Sequence, residues 1–398
     1  MTFTMSEDWR RLREETPGTA HVAHFNNAGA ALMATPVIDA MKKHLQLEVE
    51  IGGYEAARAR PAEISEIYSN LAATIGAKPE NVALTANATD AYARALSSIP
   101  FKPGDVIVAA WSEYASNQIQ LLSLSKRFGV RIVRAPALPS GQTDLDALED
   151  IIKRDEPRLV VSVHVNTSSG IVDDVAGIGA LCRRHDIFYL VDGCQSFGQM
   201  PIDVADIGCD FFSATSRKFL RGPRGAGLLY VSDRILNKGL EPIFLDLRGA
   251  RLENENEYLP VHSAKRFEDW EASFVALFGF GEAAAYALAI GLDRIERRLQ
   301  EVNDHLRRGL QGLKGWRVLD EGVGACPIIP IYAEAKDGAA IHQALSEQRI
   351  NTNYIPKMWA PMDPRLVDAG WAIRISPHYY TSPSDIDLLL GALEDAVS

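Results

Sequence analysis

Two stretches of the chain decide its fold: IFYLVDGCQS at residues 187–196 and FFSATSRKFLRGPRGAGLLYV at residues 211–231. The first is a short, almost purely apolar run that ends in a carboxylate, Asp192. The second is a similar run that leads into Arg217 and Lys218 and then into a turn rich in glycine and proline. Near-continuous apolar runs of this length are typical of strands buried on both faces, which belong to parallel or mixed sheets covered by helices.

The same pattern recurs along the first two thirds of the chain. Seven strands are predicted, at residues 82–85, 106–110, 131–135, 159–164, 187–192, 211–214 and 226–231. Helical stretches fit between them at residues 90–98, 117–128, 145–154 and 175–185. Alternating strands and helices predict a doubly wound α/β domain whose seven-stranded sheet is mostly parallel.

The pattern changes after residue 267. Residues 274–313 read as one long helix, and the rest reads as a smaller α/β unit with strands at 316–319, 327–331 and 372–376 and helices at 338–348 and 384–397. We therefore predict a large domain at residues 20–272. Residues 273–398, together with the N-terminal segment 1–19, are predicted to form a small domain joined to it by the long helix. A chain of 398 residues has the length expected for two domains.

Composition excludes several classes of protein. The net charge of −11 argues against nucleic acid as a partner, which requires a basic face. No apolar run reaches the roughly 18 residues of a membrane helix, and the polar, acidic start does not resemble a signal peptide, so we expect a cytoplasmic protein without a membrane partner. The four cysteines show neither a CxxC motif nor paired spacing, which predicts reduced thiols and no metal site.

Ligands of open α/β sheets bind outside the carboxyl ends of the strands, so the residues that follow each strand are candidates for chemistry. Burial and neighbouring cations lower the pKa of a lysine, which makes Lys218 a candidate nucleophile that forms an imine. Pyridoxal 5'-phosphate (PLP) needs such a lysine and an acid facing its pyridine nitrogen, and Asp192 supplies the acid. Taken singly, an ordinary surface lysine and a helix cap or structural ion pair remain alternatives for Lys218 and Asp192.

A phosphate group needs a cradle of its own, and the sequence TANATD at residues 85–90 offers one. It follows the first strand and opens a helix, where backbone N–H groups and the Thr89 hydroxyl can approach an anion. Thr215 and Arg217 would close the cradle from the other side. Thr89 as a plain N-cap is the alternative. Tyr114 follows another strand and lies either against the cofactor ring or simply in the core.

Taken together, these motifs resemble the class V aminotransferase branch of the fold-type I PLP enzymes. The likeness runs from FNNAGA at residues 25–30 to RISPHYY at residues 374–380, with the stretch at residues 189–230 as its most specific part. Within the branch the chain is similar to the group of cysteine desulfurases, isopenicillin N epimerase-like proteins and ergothioneine C–S lyases. The resemblance implies a small amino acid as substrate, PLP as cofactor, and a homodimer with active sites at the subunit interface.

The resemblance also implies roles for the cofactor-binding residues. Lys218 matches the lysine that binds PLP as a Schiff base and then acts as the catalytic base. Asp192 matches the partner of the pyridine nitrogen, and Gln195 matches the residue near the phenolic oxygen. Four further residues match the phosphate positions: Ala88, Thr89, Thr215 and Arg217.

Four more residues are placed around the ring and the substrate by the same resemblance. Tyr114 falls where desulfurases stack a histidine on the ring, and Thr167 falls near their asparagine beside the ring. Arg374 matches the arginine that pairs with the substrate carboxylate, a contact with bidentate geometry. Asn27 is expected to bind substrate as well. For Arg374 a structural ion pair is the alternative.

One departure from the family pattern bears on the reaction. Desulfurases of this branch carry a nucleophilic cysteine on a loop shortly before the carboxylate-binding arginine. Here that region, NTNYIPKMWAPM at residues 351–362, contains no cysteine, which disfavours persulfide-forming desulfuration. We expect β-elimination from an S-substituted cysteine or a related amino acid. Epimerisation or racemisation ranks second, transamination third, and a non-catalytic protein with a degenerate site last.

Overall fold

A computed structural model describes residues 4–320, 326–334 and 336–397. Within them the strands are β1 (Ala23–His24), β2 (Val82–Thr85), β3 (Val106–Ala109), β4 (Arg131–Arg134), β5 (Leu159–Val163), β6 (Phe188–Asp192), β7 (Phe211–Thr215), β8 (Gly227–Val231), β9 (Ala250–Asn254), β10 (Glu257–Pro260), β11 (Trp316–Val318), β12 (Ile329–Ala333), β13 (Ile350–Asn351), β14 (Asn353–Pro356) and β15 (Trp371–Ile375). The helices are α1 (Glu7–Glu14), α2 (Thr35–Ile51), α3 (Gly53–Arg58), α4 (Pro61–Ala73), α5 (Ala88–Ser98), α6 (Ala115–Phe128), α7 (Leu145–Asp155), α8 (Val175–Arg184), α9 (Val204–Ile207), α10 (Asp233–Asn237), α11 (Phe274–Ile290), α12 (Leu292–Gly312), α13 (Gly338–Glu347), α14 (Pro364–Ala369) and α15 (Pro383–Asp395).

Seven strands form one large sheet in the order β2-β8-β7-β6-β5-β3-β4. Neighbours run parallel except at β8, which is antiparallel to both β7 and β2. Strands β3, β5, β6 and β7 are buried along their whole length, as their near-continuous apolar sequences require. The predicted seven-stranded, mostly parallel sheet is confirmed.

Both faces of this sheet are covered. Alternate residues of β6 enter different hydrophobic clusters, because successive side chains of a strand point to opposite faces. Tyr189 and Val191 pack in the cluster that includes residues of α4, α8 and α11. Phe188 and Leu190 pack in the cluster that includes residues of α5 and α6. With both faces closed, the carboxyl ends of the parallel strands are left to form a ligand site.

A second, antiparallel sheet has the order β11-β12-β15-β14 and packs against α12, α13 and α15 in its own cluster. The N-terminal segment contacts this part of the chain, since Arg13 forms hydrogen bonds of 2.6 and 3.0 Å with Asp385. Strand β1 also pairs with β13, although residues 23–24 fall within the predicted large domain. The predicted domain boundaries stay a prediction.

The single long helix predicted at residues 274–313 is wrong. Two helices, α11 and α12, meet at Gly291 with a bend of 80°. Gly291 has a φ of 93°, a conformation that a continuous helix of L-residues does not allow, and it ends α11 by donating to the Ala287 carbonyl. None of the described helices is by itself long and apolar enough to span a membrane; α11 and α12 meet that length and composition test only as this bent pair.

Candidate active site

The carboxyl ends of β2, β5, β6 and β7 open into a cavity of about 450 Å³. All nine residues predicted for the cofactor line it, namely Ala88, Thr89, Tyr114, Thr167, Asp192, Gln195, Thr215, Arg217 and Lys218. Two larger clefts, of about 800 and 870 Å³, contain none of these nine residues. Chemistry rather than size therefore identifies the candidate site.

A tight turn after β7 positions the lysine. The Ser216 hydroxyl donates to the Pro223 carbonyl, and the Gly222 amide donates to the Ser216 carbonyl at 2.9 Å. Arg221 adopts a φ of 68°, and its buried guanidinium donates to the Leu32 carbonyl at 2.8 Å. These bonds fix both ends of the turn, which gives Ser216 a structural role that sequence reasoning could not assign.

Within this turn the Lys218 amine is buried and unpaired. The residue is 8% exposed, and no carboxylate forms an ion pair with it in the described part of the chain. Burial lowers its pKa below the ordinary value, partly opposed by Cys194 and Asp192. A desolvated amine of this kind loses its proton readily and becomes nucleophilic, so the surface-lysine alternative is wrong.

The Asp192 carboxylate is held by neutral donors at the end of β6. Asn117 Nδ2 donates to Oδ2 at 2.8 Å, and the Cys194 backbone N–H donates to Oδ1 at 2.9 Å. Among the residues that the structure describes, no cation forms an ion pair with Asp192. The structural ion pair considered for Asp192 is therefore wrong, and its charge is available to a ligand in the cavity.

The opposite wall is the start of helix α5. Its N-cap is Asn87, whose side chain accepts from the Asp90 N–H at 3.0 Å, so the alternative of Thr89 as N-cap is wrong. The backbone N–H groups of Ala88 and Thr89 have no partner within the described residues. Such free N–H groups, with the positive end of the helix dipole, form a binding site for an anion.

Close backbone packing brings this helix start next to β8. A Cβ on Gly227 would lie 2.5 Å from the Asn87 carbonyl carbon, so only glycine allows the approach. Gly227 pairs with Thr215, which places the Thr215 side chain at the same end of the cavity. Gly227 therefore allows the start of α5 and the end of β7 to come together and form the anion cradle.

Two arginines add positive charge to the cavity wall. Arg217 donates to the Gly29 carbonyl, and Arg224 is exposed with no ion pair or hydrogen bond in the described ranges. Sequence reasoning did not select Arg224, although it lies in the glycine-rich turn six residues after Lys218. It also did not select Asn117, which lies in the first turn of α6.

Tyr114 and Gln195 line the middle of the cavity. Tyr114 precedes α6 and is 40% exposed, with its ring centre 5.9 Å from Lys218 Nζ, so a plain core role for it is wrong. Gln195 Nε2 donates to Thr167 Oγ1 at 2.6 Å and to the Ala28 carbonyl at 3.1 Å. Its Oε1 is buried without a partner in the described chain, as expected for an atom that contacts a bound ligand.

Arg374 adjoins the cavity through Thr167 instead of lining it. Its Nη1 donates to the carbonyl and the hydroxyl of Thr167, each at 3.0 Å, and Nη2 donates to Asn26 Oδ1 at 3.2 Å. No acid pairs with it in the described ranges, so the structural ion pair is wrong, and burial lowers its pKa to about 10. Its buried Nε has no partner there either.

Asn27 requires a correction. It is fully buried, its amide donates to the Ser376 carbonyl at 2.7 Å, and its oxygen accepts from the Tyr380 hydroxyl. These bonds occupy the side chain away from the cavity, so the structure does not support direct contact with substrate. The preceding residue, Asn26, is the one that reaches Arg374.

The cavity fits PLP. Its volume falls in the range of about 300–1,000 Å³ that is usual for small-molecule sites. A desolvated amine, a carboxylate without a cation and an anion cradle are the groups that PLP requires, and all three line this one cavity. The unpartnered Gln195 oxygen marks a further polar contact for a ligand.

Comparison with known proteins agrees with this geometry. The family model of class V aminotransferases matches residues 23–389. The chain is 30% identical to a probable hercynylcysteine sulfoxide lyase of Mycobacterium tuberculosis, covering 99% of this chain and 94% of the relative. It is 26% identical to a probable cysteine desulfurase of Methanothermobacter thermautotrophicus, with 99% of each covered.

Solved structures show the same fold. Apo cysteine desulfurase from Thermococcus onnurineus superposes with a TM-score of 0.89 at 23% identity, with 99% of both chains covered. A lysine-to-alanine mutant of C-DES, with glycine covalently linked to its PLP cofactor, superposes with a TM-score of 0.87 at 25% identity and covers 96% of this chain and 99% of its own. The chain therefore belongs to the class V aminotransferase family of PLP-dependent, fold-type I enzymes.

Proposed function

We propose that this enzyme catalyses β-elimination from a small S-substituted cysteine and thereby breaks the Cβ–S bond. The observation that carries the proposal is a cavity with a desolvated amine but without an available thiolate. Residues 351–362 contain no cysteine to act as a persulfide-forming nucleophile. The relatives named above are a sulfoxide lyase and desulfurases, so chemistry on sulfur-bearing cysteine-type substrates also fits the family.

The four cysteines support the same conclusion. Cys182, Cys209 and Cys326 are buried, and burial raises the pKa of Cys326 to about 12. Cys194 lines the cavity, but burial and the neighbouring Asp192 raise its pKa well above the ordinary value. A thiol that stays protonated is a poor nucleophile, so none of the four suits persulfide formation.

The chain's own residues then have distinct tasks. Bound PLP supplies an electron-accepting ring that stabilises negative charge at the substrate Cα. Lys218 would hold the cofactor through its amine, and that amine, once free, would remove the substrate Cα proton as general base. Asp192 would pair with the ring nitrogen, and the N–H groups of Ala88 and Thr89 would bind the phosphate.

Arg374 holds the substrate carboxylate. Its two Nη atoms are oriented by Thr167 and Asn26, so its guanidinium is fixed before substrate arrives. Loss of the Cα proton and of the β-thiolate leaves an enamine product. Water converts that product to pyruvate and ammonia after release.

The test is to incubate the purified enzyme with S-alkylcysteines, cysteine sulfoxides and cystine, and to assay pyruvate and ammonia in equal amounts. Lys218→Ala is the matched control: it should form no pyruvate, and borohydride should no longer attach PLP covalently to the protein, as it does in the wild type. Alanine with persulfide from free cysteine would instead indicate a desulfurase. Deuterium exchange into recovered substrate without any pyruvate would indicate an epimerase, and a requirement for a keto acid would indicate a transaminase.

We also propose a homodimer with the active sites at its interface. The exposed side chains Ile119 and Leu122 lie on α6, the helix that follows Tyr114 in the cavity wall. Further exposed apolar residues occur at Ile243, Phe244 and Leu247, and Phe244 is 85% exposed. Large apolar side chains with this much exposure are typical of surface that a protein partner covers.

A further inference from the structure

A second carboxyl group lies behind Asp192, and the reaction above does not use it. Glu113 lies between β3 and α6 and is 6% exposed. Its Oε2 accepts from Asn117 Nδ2 at 3.3 Å, and the same nitrogen donates to Asp192 Oδ2 at 2.8 Å. An amide nitrogen carries two hydrogens, so a single asparagine side chain joins the two carboxyl groups.

The surroundings of Glu113 contain few groups that stabilise a negative charge. Asp192 and Asp173 both act against its ionisation, while Arg134 and the Asn117 amide act in favour of it. Burial is the largest effect, and together these groups raise the pKa of Glu113 to about 8. Glu113 therefore holds a proton at neutral pH.

Two buried atoms near Glu113 lack a hydrogen-bond partner among the described residues. They are Glu113 Oε1 and the hydroxyl of Tyr92, a fully buried side chain whose own pKa is raised by burial and by Glu113. A buried polar atom without a hydrogen-bond partner lowers the stability of the fold, so its presence calls for an explanation such as a functional role. Here one atom belongs to the Glu113 carboxyl group and the other is a neighbouring hydroxyl, so the described residues offer Oε1 no donor that would stabilise its charged form.

We propose that Glu113 is a positioning residue that sets the charge behind the cofactor ring by sharing the Asn117 amide with Asp192. In its neutral form Glu113 leaves Asp192 as the single anion of the pair, oriented by Asn117 towards the ring nitrogen. When Glu113 ionises in alkaline solution, a second negative charge appears behind Asp192. The two carboxylates together then hold the proton on the ring nitrogen more strongly than Asp192 alone. This inference rests on the role of Asp192 in the proposed function.

The test is nitrogen-15 NMR of the holoenzyme reconstituted with PLP labelled at the ring nitrogen, recorded from pH 6 to pH 10. The wild type should show a step in the ring-nitrogen signal with a midpoint near pH 8, as the pKa of Glu113 requires. Glu113→Gln should lose the step and keep the low-pH signal at every pH. Asp210→Asn, which alters a buried carboxyl group beside Arg234 at the other end of the sheet, should keep the wild-type step.

A step that survives in Glu113→Gln, or its absence from the wild type, would overturn the inference. Glu113→Asp provides a second variant if the glutamine form does not fold, because its step should move in pH without vanishing. Failure of the wild type to bind PLP at Lys218 would refute the proposed function instead. The protonation of buried Glu113 can still be tested in that case, by measuring the denaturation temperature against pH. If wild type and Glu113→Gln respond to pH equally, Glu113 does not hold a proton in the folded protein.

Discussion

At the scale of single residues, the site contains two buried basic side chains that lack an acidic partner in the described part of the chain. Lys218 and Arg374 are buried, and neither has an acidic partner within residues 4–320, 326–334 and 336–397. Lys218 can avoid the cost of burial by losing its proton, because its pKa is lowered. The Arg374 guanidinium stays charged, and a buried charge without a counter-ion is destabilising, so its retention indicates a ligand that supplies the opposite charge. For Arg374 that ligand is a carboxylate, since its neighbours Thr167 and Asn26 are neutral.

We expect Arg374→Gln to raise KM about 10- to 100-fold, because a hydrogen bond to a charged group contributes about 1.5–3 kcal/mol. The cofactor absorbance should be unchanged, since Arg374 does not line the cofactor cavity. Arg317→Gln, an exposed arginine on β11, is the control and should leave both properties unaltered. Steady-state kinetics on the best substrate measures the effect, and an unchanged KM would contradict the assignment.

Glu113 also makes a prediction about stability. Its pKa is about 8 in the folded protein against an ordinary value of 4.5, so between these values the unfolded chain binds fewer protons than the folded chain. Stability is therefore lost as the pH rises from about 4.5 to 8. We expect Glu113→Gln to be more stable than wild type at pH 9, by about 3–5 kcal/mol, and nearly equal to it at pH 5. Thermal denaturation at both pH values checks this, and a difference independent of pH would refute it.

At the scale of elements, the start of α5 serves both the fold and the ligand. Asn87→Ala should lower stability by about 1 kcal/mol through loss of the helix cap. Asn87→Asp should keep the cap but place a negative charge beside the phosphate cradle, so it should weaken binding of PLP and spare binding of pyridoxal, which has no phosphate. Titration of the apoenzyme with both compounds distinguishes the two effects; equal weakening would place the phosphate elsewhere.

The bend between α11 and α12 depends on one residue. Gly291→Ala should destabilise the protein by about 1–3 kcal/mol, because its backbone conformation is strained for any residue with a Cβ. Gly312, the last residue of α12, has open space around it and no positive φ, so Gly312→Ala should be neutral or slightly stabilising. Differential scanning calorimetry of both variants tests the assignment, and an unaffected Gly291→Ala would argue against it.

The prediction of helices and strands failed where the apolar pattern of the sequence does not follow the secondary structure. The hairpin of β9 and β10 has the polar sequence ARLENENEYLP and is mostly exposed, so no apolar alternation marks it. Helices α11 and α12 form one unbroken helical pattern, because a glycine in a sequence does not reveal its φ. Apolar pattern reports burial, and burial does not fix where the backbone turns.

At the scale of the whole molecule, the exposed apolar residues predict assembly. Phe244→Glu should convert the proposed dimer into a monomer, since a charge at a buried interface is strongly unfavourable. Val367→Glu, a partly exposed apolar residue on α14, is the control and should stay dimeric. Light scattering coupled to size exclusion reports the mass. A wild type that is monomeric at all concentrations would refute the proposal.

The sequence alone was enough to predict the mostly parallel sheet, because buried strands have a local apolar signature. It also pointed to Lys218 and Asp192, because residues that follow parallel strands meet at one edge of the sheet. The resemblance to class V aminotransferases implied the family and completed the nine predicted residues, all of which line the cofactor cavity. Only the tertiary structure decided that Asn26 rather than Asn27 reaches Arg374, and that Glu113 shares Asn117 with Asp192. Asn26 is far from Arg374 in the chain, and Asn117 is far from Asp192. The packing of helices on the sheet sets these distances, and no local pattern in the sequence records them.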